Sequence, residues 1–198
     1  MSFNSVQKFE KNISSFFGSK YGIATDSCTH AIELCLRLIE PKHKIAFPKR
    51  TYIGIPLLGY KLKLNWEWQD LEWKNYYYIK NTNIIDAAVL WKKQFYIPGT
   101  LMCLSFQFQK HINIGRGGMI LTNNKRSYEK LIKMSYDGRK RNMPWREQNI
   151  SLMGYHYYLT PESASKGNEI FKLKKNIPPR IWSYNDYPDV SKMKVFNL

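Results

Sequence analysis

Acidic residues are scarce in this sequence: 15 Asp and Glu stand against 31 Lys and Arg, for a formal net charge of +16 over 198 residues. Such a balance can mark a polyanion partner. The basic residues are scattered, however, with the densest clusters at Arg139-Lys140-Arg141 and at Lys172, Lys174 and Lys175. No nucleic-acid reading motif accompanies them, so a specific nucleic-acid reader is not expected. Cysteine is equally sparse. Cys28, Cys35 and Cys103 fit neither a zinc pattern nor a disulfide framework, and read as two buried thiols plus one near a site. No apolar run is long enough to span a bilayer. Met1 to Glu10 is polar and carries an acid, unlike a secretory signal. No membrane association and a cytoplasmic location are therefore expected. Internal repeats and low-complexity segments are also missing.

What is present is a substantial apolar fraction, 43%, with 15% aromatics. That suffices for a packed core and argues against disorder. In residues 4–17, Val6, Phe9, Ile13, Phe16 and Phe17 fall mostly at helical spacing, and Gly18 suits the end of that helix. A short strand is expected at 21–24, then a polar turn at 25–29 and a buried helix over 31–39 stopped by Pro41. Strands are predicted at 44–48, 61–68, 84–86, 101–106 and 119–122, and helices at 51–60, 124–137 and 161–174. Thr160-Pro161 reads as N-cap and first turn of the last helix. Residues 69–80 lack periodicity, and the tail from Asn176 onward looks loose. Alternating strands and helices predict an α/β fold, a three-layer α/β/α sandwich with a mostly parallel sheet. In such sheets ligands gather beyond the carboxyl ends of the strands.

The informative residues sit at those ends. Asp86 closes an apolar strand; alone it reads as a turn or cap residue. Lys110 follows the strand at 101–106; alone it reads as a solvated charge. Gly115-Arg116-Gly117-Gly118 reads equally well as a tight turn. Taken together they say more. Ser105-Phe106-x-x-x-Lys110 followed by Gly-Arg-Gly-Gly-Met resembles the cofactor-lysine segment of the DegT/DnrJ/EryC1/StrS family of pyridoxal phosphate (PLP)-dependent sugar aminotransferases. Phe9-Glu10, Gly18-x-Lys20-Tyr21, Ser27-x-Thr29-x-Ala31, Pro48-x-x-Thr51-Tyr52, Asp86-Ala87-Ala88 and Gly154-Tyr155-His156-Tyr157 follow in that family's order. The similarity covers residues 6–175.

The resemblance implies the large domain of a fold-type I PLP transferase over residues 1–175, with residues 176–198 as a residual tail and the family's small C-terminal domain largely absent. It implies that Lys110 bonds covalently to PLP, that Asp86 pairs with the ring nitrogen, and that Ser27, Cys28, Thr29 and Ser105 hold the phosphate. Tyr52 falls where the family places an aromatic that stacks on the ring; a core tyrosine explains it as well. The implied reaction moves an amino group from an amino acid, glutamate, to a keto group of a nucleotide-linked sugar, as in polysaccharide biosynthesis. A homodimer is implied too, with Trp66, Trp68 and Trp73 at its interface if they are exposed. Two alternatives stand beside this reading. One is a catalytically impaired relative that kept the fold. The other is a PLP-dependent sugar dehydratase, a branch in which histidine replaces the lysine; here His111 stands next to Lys110. This chain departs from the family pattern at Val89, where Gln is usual, and at Tyr158, where Asn is usual.

Overall fold

A computed structural model describes residues 3–196. The first helix, α1 (Asn4–Phe17), buries Val6, Phe9, Ile13 and Phe17 along one face, and Gly18 closes it in the left-handed region at φ 84°. Strand β1 (Tyr21–Thr25) leads into α2 (Cys28–Ile39), whose N-cap Ser27 accepts from the His30 N–H. Then come β2 (Ile45–Pro48), α3 (Gly54–Lys61), β3 (Trp66–Gln69), β4 (Tyr77–Tyr78), β5 (Ile84–Asp86), β6 (Leu101–Ser105), β7 (Gly118–Thr122), α4 (Lys125–Met134) and α5 (Pro161–Lys174). Thr160 caps α5 with its side chain and Pro161 occupies the first turn.

The main sheet runs in the order β1-β7-β6-β5-β4, and β2 and β3 form a separate pair. Alternating residues of the central strands enter opposite cores. Met102, Leu104, Met119 and Leu121 pack with Phe9, Phe17 and Phe171 on the α1/α5 face. Leu101, Cys103 and Ile120 pack with Ile32, Leu36 and Leu131 on the α2/α4 face. The expected three layers are therefore present. The sheet is not mostly parallel, however. Only β5–β6 and β2–β3 are parallel, while β1–β7, β6–β7 and β4–β5 are antiparallel. β4 and β5 are joined by a short turn and β6 and β7 by a hairpin loop, so each pair returns antiparallel, whereas the longer irregular connection 87–100 lets β5 and β6 run parallel without a helix.

Three other expectations need correction. The strand expected from Lys61 begins only at Trp66, because Leu62 N–H and Leu64 N–H still bond back to Leu58 and Gly59 and Lys63 turns at φ 51°. The helix expected to reach residue 137 ends at Met134, and Asp137 and Gly138 turn at positive φ. The tail is not loose. Trp182 carbonyl accepts from Asn75 N–H, Tyr184 N–H donates to Trp73 carbonyl, and Val190 N–H donates to Lys49 carbonyl. These bonds strap residues 182–190 across the ends of β2 and the 73–75 segment. Val190 is fully buried and Phe196 packs on Tyr60 and Trp68. Trp66 and Trp68 are half-buried in that same aromatic cluster, and Trp73 is buried, so none of the three offers an exposed interface. All three cysteines are buried and free.

Of the Arg139–Arg141 cluster, Lys140 is exposed and Arg139 half-buried, but Arg141 turns inward. Arg141, with 5% of its side chain exposed, donates to both carboxylate oxygens of the equally buried Glu10, whose Oε1 also accepts from Ala24 N–H. Burial raises the Glu10 carboxyl above its usual range, and Arg141 only partly offsets this. A raised carboxyl favours the folded state most at low pH, and that contribution fades as pH rises through the folded-state value. Arg141→Met should therefore cost about 3–5 kcal/mol at pH 7, because it leaves a buried carboxylate uncompensated. The loss should be smaller at pH 5 than at pH 7, because a raised carboxyl takes up its proton more readily as pH falls. Urea melts at the two pH values check both statements.

Candidate active site

A cavity of about 540 Å³ opens beyond the carboxyl ends of β5 and β6. Ser27, Cys28 and Thr29 reach it from the start of α2, and Tyr52 from the turn before α3. Asp86 reaches it from the last position of β5, Ser105 from the last of β6, and Lys110 from the loop that follows. All seven residues expected at the site thus line one space.

The loop carrying Lys110 is held as a narrow hairpin. Phe106 N–H donates to Gly117 carbonyl, Phe108 N–H to Gly115 carbonyl, and Lys110 N–H to Gln107 carbonyl. Gly115 sits at φ 93°, a conformation side chains disfavour, and open space surrounds the place of its missing Cβ. Gly118 serves a different need. A Cβ there would lie 2.4 Å from the Ser27 carbonyl carbon and 2.5 Å from Cys28 N, both backbone atoms. The absence of a side chain lets β7 carry the first turn of α2. Gly118→Ala should cost about 1–3 kcal/mol of stability through overpacking. It should also displace the start of α2 at the cavity; a melt and the amide chemical shifts of residues 27–30, respectively, check these.

The electrostatics of the site are set by burial. The Asp86 carboxyl is buried, and desolvation pushes it above the usual carboxylate range. Opposing this, Tyr77 hydroxyl donates to Oδ2 at 2.6 Å and Ala88 N–H to Oδ1 at 3.0 Å. Burial pushes the Lys110 ammonium below its usual range, and the Arg180 charge adds to the effect. Lys110 Nζ lies 4.9 Å from the centroid of the Trp182 ring, which the C-terminal strap lays over the cavity with Asp186 and Tyr187. His111 turns away: its Nε2 contacts Lys174 carbonyl at 2.8 Å and its ring stacks on Trp91. Val89 lines the cavity, whereas Tyr158 packs among Phe3, Tyr136 and His156. The sequence reading missed Tyr77, Trp73 and the strap residues. Tyr77 stands directly opposite Asp86 in the β4–β5 register, a pairing no local pattern announces.

The donor set suits PLP. Asp86 is a desolvated carboxyl that makes no ion pair among the described residues, so a cationic ring nitrogen would complement it. The Cys28 and Thr29 N–H groups at the start of α2 have no acceptors within their helix, His30 N–H being taken by Ser27, and with the Thr29 and Ser105 hydroxyls near they form an anion cradle. Lys110 supplies an amine biased toward its neutral, nucleophilic form.

Similarity to known proteins agrees with the geometry. The chain resembles AtS13 from Actinomadura melliaura, with a TM-score of 0.77 and 16% identity over 86% of this chain and 60% of that one. It also resembles the sugar aminotransferase CalS13 from Micromonospora echinospora, with a TM-score of 0.72 and 12% identity over 85% of this chain and 60% of that one. The PLP form of the putative sugar aminotransferase Spr1654 from Streptococcus pneumoniae gives a TM-score of 0.70 and 14% identity, over 86% and 59%. The chain thus spans about 60% of the length of these structures. No curated protein sequence matches it. The family model for the DegT/DnrJ/EryC1/StrS aminotransferases matches residues 1–55 and 95–181, which take in Ser27 to Thr29, Tyr52, Ser105 and Lys110 but not Asp86. On that match the chain belongs to the DegT/DnrJ/EryC1/StrS aminotransferase family.

Proposed function

We propose that the chain binds PLP at Lys110 and acts as an aminotransferase, moving an amino group from an amino acid to a keto group of a nucleotide-linked sugar. The observation that carries this is the convergence of seven residues from separate elements on one cavity, with the Lys110 amine and the Asp86 carboxyl both partly desolvated there. PLP and pyridoxamine forms of Spr1654 support the cofactor. Bound PLP supplies an electron sink for a carbanion. With that group bound, Asp86 would hold a proton on its ring nitrogen, Lys110 Nζ would take and return a proton, and the start of α2 would hold its phosphate. Glutamate as donor and a cytoplasmic setting belong to the same reading, as does the division into a cofactor-binding part at 1–175 and a tail at 176–198. No helix among the described residues is long and apolar enough to cross a membrane. The test is incubation with PLP, glutamate and a panel of nucleotide-linked ketosugars, with mass spectrometry for the aminosugar. Formation of no aminosugar from any of them would count against the proposal.

A second reading, a relative that binds PLP but does not turn over, is favoured by Val89 in the cavity wall, an apolar side chain where the family carries an amide. The dehydratase reading is disfavoured by His111, which faces Lys174 and Trp91 instead of the cavity.

We also propose a homodimer. Its interface would use surfaces other than Trp66, Trp68 and Trp73. Light scattering of the PLP-loaded protein at micromolar concentration should give twice the chain mass. A monomer that still holds PLP tightly would contradict it.

A further inference from the structure

A hydrogen-bonded relay under the cavity joins Thr51 to Tyr77 and Asp86, two residues in the stretch that the family model leaves unmatched. Tyr77 hydroxyl lies 2.6 Å from Asp86 Oδ2 and 2.6 Å from Thr51 Oγ1, and all three residues are buried. The single phenolic hydrogen goes to Asp86, so the Thr51 hydroxyl must donate to the phenolic oxygen. The order is then Thr51 to Tyr77 to Asp86, every donor pointing at the carboxylate. Strand pairing fixes the geometry, since Tyr77 faces Asp86 directly across β4 and β5. The Tyr77 ring is held by Trp73, which packs in turn on Tyr187 of the strap.

We propose that Tyr77 is the positioning residue of Asp86: its hydroxyl, oriented by Thr51, aims the carboxylate into the cavity and carries part of its negative charge. The inference rests on the reading of Asp86 as the partner of a cationic ring nitrogen. Its logic is electrostatic. The titratable groups around Asp86 are Tyr77 on β4, Cys28 on α2, Cys103 on β6, Lys110 on the loop after β6 and Tyr187 on the strap. Burial pushes the two thiols and the two phenols upward, so all four are neutral near pH 7. Lys110 is the one cation of that set, and covalent attachment of a cofactor would engage its nitrogen. Hydrogen bonds to a charged acceptor are then the main support left to the carboxylate, and a relay of two polarises more strongly than either alone. Without the phenol the carboxylate becomes more basic. It would draw the shared proton from the ring nitrogen toward itself and weaken the electron sink.

The experiment follows the carboxyl itself. In cofactor-free protein labelled with ¹³C at aspartate Cγ, with the Asp86 signal assigned by its loss in Asp86→Asn, Tyr77→Phe should raise the Asp86 titration midpoint by about one to two pH units. Thr51→Val should raise it in the same direction by less. With ¹⁵N-labelled PLP bound, Tyr77→Phe should move the ring nitrogen signal toward that of neutral pyridine. An unchanged Asp86 midpoint in the folded variants overturns the proposal. If Tyr77→Phe does not fold, Thr51→Val decides alone, and an unchanged midpoint there overturns it equally. Should the wild-type chain fail to take up PLP, the proposed function fails, whereas the cofactor-free titration still decides for or against the relay.

Discussion

Lys110→Ala should yield a protein that borohydride cannot label with PLP. Covalent capture needs a neutral amine at the cavity, and the amine must be reachable. Lys110 is the one lysine among the residues that line the cavity. Its ammonium is pushed below the ordinary lysine range, chiefly by burial, so a larger share is neutral at pH 7 than for a surface lysine. Exposed lysines keep their charge and react indiscriminately and weakly. Wild-type protein should therefore gain a single reduced PLP on a peptide containing Lys110, and the variant none above background. Stability should change little, because among the described residues the Lys110 side chain makes no hydrogen bond or ion pair, only its approach to the Trp182 ring. A variant that still traps one equivalent of PLP would place the attachment elsewhere.

The second large effect is expected from Asp86→Asn. The amide keeps the shape of the carboxyl, and its single oxygen can still accept from Ala88 N–H, while its NH2 can face Tyr77 only if the phenol turns its hydrogen toward Thr51. The amide cannot carry the negative charge that holds a proton on the ring nitrogen. That charge matters most as electron density develops on the ring, so the loss falls on the transition state more than on binding. A fall in kcat on the order of 10²–10³-fold is expected, the scale seen when a preorganised electrostatic group is removed. PLP should remain bound through Lys110 and the α2 cradle, because those contacts serve ground and transition states alike. Loss of cofactor in parallel with activity would instead make Asp86 an anchor only. Proportionate activity in the variant would remove it from the chemistry.

Much of this architecture is legible in the sequence where the signal is local. α1 and α5 follow from apolar spacing and caps, with Gly18 and Thr160-Pro161 marking ends that the structure keeps. The residues that line the cavity were legible because they lie at strand ends, at the start of α2 or in the turn and loop beside them, and their order along the chain carries the resemblance. Strand direction was not legible, since β6 and β7 pair through an extended loop and the pairing partner is chosen by long-range packing. Tyr77 was hidden for a related reason: β4 is two residues long, too short to show any alternation within the aromatic stretch around it. The strap looked loose because three prolines and several charges mask Val190, Trp182 and Tyr187, which find their partners some 110 to 140 residues earlier, in Asn75, Trp73 and Lys49. Arg141 read as part of a basic cluster because its partner, Glu10, lies far away in sequence.

The central claim is tested most directly by the absorption spectrum of the purified protein with PLP, before and after excess glutamate. The account predicts a band of lysine-bound cofactor that is missing in Lys110→Ala, and its conversion by glutamate to the pyridoxamine form with release of 2-oxoglutarate. A band that forms on Lys110 but that no donor amino acid converts would contradict the aminotransferase reading and leave a protein that holds PLP without using it in this reaction.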